Sequence, residues 1–147
     1  MSVREMQVHT QRTHAPEDVR RAVASVVGVS AELVHMYPES LDVPVTMVLR
    51  TTGSGSFRDM IIVVIDDDDV APQAKTDLDL GRPLARLLAD DIACSPDGVP
   101  GVDDDDPSNE DLWAVIDPQG VVRLAREIDT GDDDDFKLDI DPTPIPL

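Results

Sequence analysis

Apolar and polar residues alternate in "VREMQVHT" from Val3 to Thr10, which puts Met6, Val8 and Thr10 on one face, the period of a strand with one buried side. The period then changes. In "HAPEDVRRAVASVVG", Val19, Ala22, Val23, Val26 and Val27 recur at i, i+3, i+4, i+7 and i+8, which predicts an amphipathic helix. Its ends are marked as well. Pro16 suits a first helical position, Glu17 and Asp18 suit the positive end of the helix dipole, and Gly28 suits the exit. Arg20 and Arg21 fall off the stripe and are expected in solvent.

Further along, "ELVHMY" reads as a short strand closed by Pro38, and "VPVTMVLRTT" as a strand with Val43, Val45, Met47 and Leu49 on one face. "GSGS" at 53–56 supplies a hairpin turn into "FRDMIIVVI", whose unbroken apolar run from Met60 to Ile65 suits a central strand covered on both faces. A second helix is predicted from about Asp79 to Ala93, on the stripe Leu80, Leu84, Leu87, Leu88 and Ile92, with Pro83 tolerated in its first turn. A long polar loop, 95–111, leads to "LWAVIDPQGVVRLAREI". There Asp117, Pro118 and Gly120 occupy the first, second and fourth positions of a type I turn, so Leu112–Ile116 and Val121–Ile128 form a hairpin. "FKLDI" adds a short last strand. Residues 1–140 thus read as one domain and 141–147, with three prolines in seven residues, as an extended tail. The order strand, helix, three strands, helix, two or three strands predicts an α+β fold, a largely antiparallel sheet with two helices packed on one face.

At 147 residues the chain suits a single domain. Hydrophobic residues are 41% of it but only four are Phe, Trp or Tyr, so Val, Leu and Ile must build the core. Charge alters the picture more. Residues 1–65 hold seven acids and six Lys or Arg, whereas residues 66–147 hold 24 acids and six bases, so nearly all of the net −19 lies in the second half. Such a surface repels nucleic acid and anionic lipid and favours a divalent cation or the basic surface of another protein. Self-repulsion makes the excess costly to the fold, which argues for a use; solubility is the plain alternative. A single cysteine, Cys94, permits no intramolecular disulfide, and no stretch approaches the ~20 apolar residues of a membrane span. Together these point to a cytoplasmic protein.

The acids are concentrated in three blocks of four: Asp66, Asp67, Asp68 and Asp69; Asp103, Asp104, Asp105 and Asp106; and Asp132, Asp133, Asp134 and Asp135. Mutual repulsion assigns all three to loops, as partner-binding or merely solvating residues. Glu110, Asp111 and Trp113 extend the second block. Trp113 is either a cap on the core or an anchor at the rim of a binding surface. The spacing does not fit a calcium loop: counted from Asp103, the fifth, sixth and twelfth positions are Pro107, Ser108 and Ala114, and counted from Asp132 the fifth is Phe136. No metal site and no cofactor is expected. His9, His14 and His35 form no zinc-binding pair, His35 reads as half-buried and structural, Cys94 as a small core residue at a helix end, and "GSGSF" lacks the lysine of a phosphate loop. No nucleophile, base and oxyanion site assemble, so no catalytic activity is expected.

From Leu80 to Asp135 the succession "GRPLARLLADDIAC", acidic polar loop and "LWAVIDPQGVVRLAREID" resembles the carboxyl-terminal half of small bacterial immunity proteins that neutralise polymorphic toxins. The resemblance implies a stoichiometric inhibitor, monomeric or weakly dimeric, that occludes a cognate toxin with a basic surface. A type III secretion chaperone for an effector protein is the second expectation, and an aspartate-rich calcium-binding module the third.

Overall fold

The computed structural model describes residues 3–36, 45–51, 54–55, 57, 59–66, 76–103, 105–129, 131 and 135–146. Its elements in chain order are β1 (Val3–Thr10), α1 (Pro16–Val27), β2 (Val34–Met36), β3 (Val45–Thr51), β4 (Ser54–Gly55), β5 (Asp59–Asp66), α2 (Asp77–Leu87), β6 (Ile92–Cys94), β7 (Leu112–Ile116), β8 (Val122–Glu127), β9 (Asp135–Phe136) and β10 (Leu138–Ile140). Eight strands form one sheet in the order β10-β8-β7-β6-β1-β5-β3-β2, antiparallel throughout except for the β2–β3 pair. The fold is α+β, as the sequence predicts.

Alternation decides which face is buried. Met6 and Val8 of β1 lie opposite Val63 and Ile61 of β5, which in turn lie opposite Met47 and Leu49 of β3, so one face carries a continuous aliphatic layer. Both helices cover that layer. Val19, Ala22, Val23, Val26 and Val27 of α1 are all buried there with Leu80 and Leu84 of α2. Gly28, at φ 87°, ends α1 in the left-handed conformation that glycine adopts without strain, and its N–H and that of Val29 both donate to the Ala24 carbonyl. Arg20 and Arg21 stay on the solvent side and reach back to Glu17 at 2.8 and 3.4 Å.

Helix α2 departs from the sequence reading at both ends. It begins at Asp77, where Thr76 Oγ1 accepts the Asp79 N–H at 3.1 Å, so Pro83 sits in its second turn. It stops at Leu87. The Asp90 N–H then bonds the Ala85 carbonyl and the Ala89 N–H bonds Arg86, a closure that holds Ala89 at φ 50°. Ile92–Cys94 is therefore a strand and not the end of the helix. Ile92 stands four residues after Leu88 and fits a helical stripe as well as a short buried strand, so periodicity could not separate them. Leu87, expected in the stripe, is 45% exposed. At Gly81 the helix approaches the sheet so closely that a Cβ would lie 2.9 Å from Ile116 Cδ1.

The opposite face of the sheet is covered in part. Met60, Ile62 and Val64 of β5 are half-buried there, while their neighbours Ile61, Val63 and Ile65 are buried against the helices. Of the expected "GSGS" turn, Gly53 and Ser56 lie outside the described residues. Ser54–Gly55 pairs in parallel with β9, and the same connection lays Phe57 on Ala93, Val115 and Ala125 beside Trp113 and Leu138. The β7–β8 hairpin closes as the sequence predicts, with the Gly120 N–H on the Asp117 carbonyl at 2.9 Å and Gly120 at φ 87°. The proline-rich end lies along β8, where Ile145 bridges Val122 and its N–H donates to the Val122 carbonyl at 2.8 Å.

Candidate binding cleft

Strand β6 is only three residues long. Cys94 pairs with Val8 on one side and Ala114 on the other, and the chain then turns out of the sheet through Ser95 and Pro96. Proline has no N–H to give the ladder, so pairing cannot continue past it. β1 and β7 both run on beyond that point, to Val3 and Leu112. Adjacent strands lie about 4.8 Å apart, so the departure of β6 leaves roughly 10 Å between its two neighbours. The result is a cleft of about 520 Å³ lined by Gln7, Asp77, Ser95, Pro96, Asp97, Asn109, Glu110, Leu112 and Trp113.

Acids dominate its polar lining. Asp77, at the start of α2, accepts the main-chain N–H of Gln7 at 3.0 Å and so takes the place of the missing strand. Burial pushes the Asp77 carboxyl above its ordinary range and the negative charges of Asp97 and Glu5 push it further, against the Gln7 hydrogen bond that favours the anion. The second aspartate block stands in the loop that closes the cleft, where two of its members build the loop itself. Asp103 Oδ1 accepts the Asp105 N–H at 3.0 Å. Asp106 Oδ1 accepts from both the N–H and the hydroxyl of Ser108, which caps a 3-10 turn at Pro107–Asn109 and holds the Asp106 carboxyl below its ordinary range. Asp111 faces β8 and is paired with Arg126 at 2.8 Å. Of the described acids in this loop, Asp111 alone is ion-paired.

Trp113 stands at the rim of the cleft. It is half-buried beside the small cluster under Phe57; its indole N–H donates to Glu127 Oε1 at 2.7 Å, and its ring meets the His9 ring edge-on at 5.2 Å between centroids. Burial lowers the pKa of His9, opposed by a main-chain hydrogen bond with Phe57, so this contact is made by a neutral imidazole.

The structure places the other sequence-predicted residues unevenly. Asp66 is the last residue of β5, opposite Val3, and Asp135 the first of β9, so these two lie at strand ends and not in loops. Repulsion bars a run of aspartates from a strand interior but not a single member from its end. Asp67, Asp68, Asp69, Asp104, Asp132, Asp133 and Asp134 lie outside the described residues. Glu110 and Trp113 line the cleft together. Asp77 and Asp97 also line it, and the sequence offered no sign of them; Asp77 reaches Gln7 through a contact 70 residues long in the chain. His35 is half-buried and pairs with Thr46. Cys94 is buried in β6, where burial and then the nearby Asp77 charge push its thiol pKa up, which makes it an inert core residue.

A second polar node lies past the far end of α2. Asp90, whose side chain is 1% exposed, takes the Arg12 N–H at 2.9 Å and His14 Nε2 at 2.7 Å on one oxygen, with Arg12 Nε 3.5 Å from the other. The Arg12 guanidinium also donates to the Ala89 carbonyl. Among the described residues no group of three or more His, Cys, Asp or Glu side chains is placed to hold a metal ion, and no helix is long and apolar enough to cross a membrane. No protein-family model, no curated protein and no solved structure matches the chain.

Proposed function

We propose that this chain is a stoichiometric inhibitor of the immunity type, a binding protein and not a catalyst, which captures a cognate toxin through the toxin's basic surface and covers it. The observation that carries the reading is the convergence at one cleft of Asp77, Asp97 and Glu110 with the loop of the second acidic block, under a half-exposed tryptophan. Carboxylates that have no cation of their own attract one from a partner, and a half-buried indole is a common anchor at such interfaces. The inhibitor works as a monomer or weak dimer in the cytoplasm, where it meets the toxin before the toxin reaches its target. Charge complementarity speeds that encounter by about 10- to 1000-fold.

Co-expression with candidate toxin domains, taken from the genes that neighbour the one for this chain, tests the reading. Growth is restored if it holds; toxicity that persists, with no complex between the two purified proteins, overturns it. In the same assay Asp103, Asp104, Asp105 and Asp106 are all changed to Asn, which keeps the oxygens that accept from Asp105 and Ser108 and removes the charge. Association at low ionic strength is expected to fall about 10-fold with a shallower salt dependence. An unaltered rate would remove the second block from the binding surface.

A further inference from the structure

The cleft differs from an acidic patch in one respect: both of its walls are strand edges. Main-chain groups along a strand point alternately to its two sides. On β1 the N–H groups of Gln7 and Gln11 go to Asp77 and to the Asp91 carbonyl, so odd-numbered residues face the β6 side. By that alternation the N–H and carbonyl of Glu5 and the carbonyl of Gln7 face the gap. On β7 the Asp111 carbonyl accepts from Glu127 of β8, so even-numbered residues face β6, and the N–H and carbonyl of Leu112 face the gap from the other wall. Pro96, the residue that an extended β6 would have placed beside Leu112, cannot donate to it. Among the described residues no strand lies between these edges.

We propose that the gap is a slot for one extended segment of the partner, which enters in line with β6, completes the sheet between β1 and β7, and carries Lys or Arg at alternate positions. The inference rests on the acidic-cleft reading above and adds the partner's conformation to its charge. Main-chain pairing on two sides supplies affinity without regard to sequence, and the alternating side chains supply selection. Those on the α2 side meet Asp77, whose burial beside Asp97 and Glu5 leaves its negative charge poorly compensated until a cation arrives. Gln7 already bonds Asp77 and β7 ends at Leu112, so the segment pairs with both walls beside Leu112 and with β1 alone from there to Val3, about four residues at about 3.4 Å each.

The test uses the full chain and two synthetic peptides, acetylated and amidated Lys-Val-Lys-Val-Lys and the same peptide N-methylated at both valines. The charge is equal; the methylated form has lost two main-chain donors. Titration followed by the fluorescence of Trp113, the single tryptophan, is expected to show the methylated peptide binding at least about 10-fold more weakly. Saturation with the unmodified peptide should also slow hydrogen exchange at the Glu5 and Leu112 amides. Equal affinities with both amides unslowed overturn the slot while the acidic-cleft reading stands. Failure of both peptides to bind at low ionic strength overturns the slot and that reading together.

Discussion

At the first turn of α2 Asp77 accepts the N–H of Gln7 in β1, and three residues past its last turn Asp90 accepts the N–H of Arg12, just beyond the end of β1. The surroundings of the two carboxylates are opposite. Asp90 is enclosed by Arg12 and His14, both from the β1–α1 connection. Asp77 stands among Asp97 and Glu5 at the edge of an open cleft. One joint is electrostatically closed, whereas the other leaves negative charge in excess. The contrast separates acids whose charge is answered within the fold from acids left with charge in excess, a distinction that net charge alone does not contain.

The closed end should be the more fragile to substitution. Asp90→Ala removes a buried carboxylate and the acceptor of the Arg12 N–H and the His14 ring, and is expected to cost about 3 kcal/mol, measured by chemical denaturation. A loss under about 1 kcal/mol would mean that the two ends of α2 do not differ as described.

At the open end Trp113→Ala should cost about 2 kcal/mol, less than a fully buried tryptophan because the side chain is only half-buried. In complex with the partner the same change should speed dissociation more than it slows association. Denaturation followed by circular dichroism and dissociation kinetics read the two effects separately. A full-sized stability loss with unaltered dissociation would make Trp113 a core residue and nothing more.

Asp77→Asn sharpens the comparison in the other direction. The folded carboxyl has a raised pKa, so the stability it contributes is complete below the ordinary aspartate pKa and is lost as pH rises through the folded value. Asn keeps an oxygen for the Gln7 N–H and has no charge to bury. The variant should therefore match the wild type in strong acid and become the more stable of the two as pH rises through the Asp77 pKa, with a constant difference above it. Melting temperatures across that range check the sign, and a variant less stable at neutral pH would show that the anion is satisfied in the free protein.

The smallest effect concerns divalent cations. Millimolar calcium is expected to raise the melting temperature no more than magnesium does, because the acids around the cleft offer charge without a ligand cage. A calcium-selective shift of several degrees would turn the open end into a metal site.

Much of this architecture is legible along the chain. The valine stripe of α1, the alternation of β1 and β3 and the Asp-Pro-Gln-Gly turn are local patterns in which side-chain period and turn chemistry agree, and the structure follows each of them. The second half was legible as acidic, with Trp113 and Glu110 beside a charged loop. The limits of α2 and the existence of β6 were not, since Leu88 and Ile92 satisfy a helical and an extended period alike. Nor could any local pattern reveal that Ser54–Gly55 would pair with β9, or that Asp77 and Asp90 would hold Gln7 and Arg12 across 70 and 78 residues of chain. The sequence by itself determined most of the elements, the aliphatic core and the sign of the surface, because these depend on neighbours within a few residues. Tertiary structure alone decided which aspartates are neutralised and where β6 stops short. Compensation of a charge and completion of a strand both depend on which distant segment folds beside it.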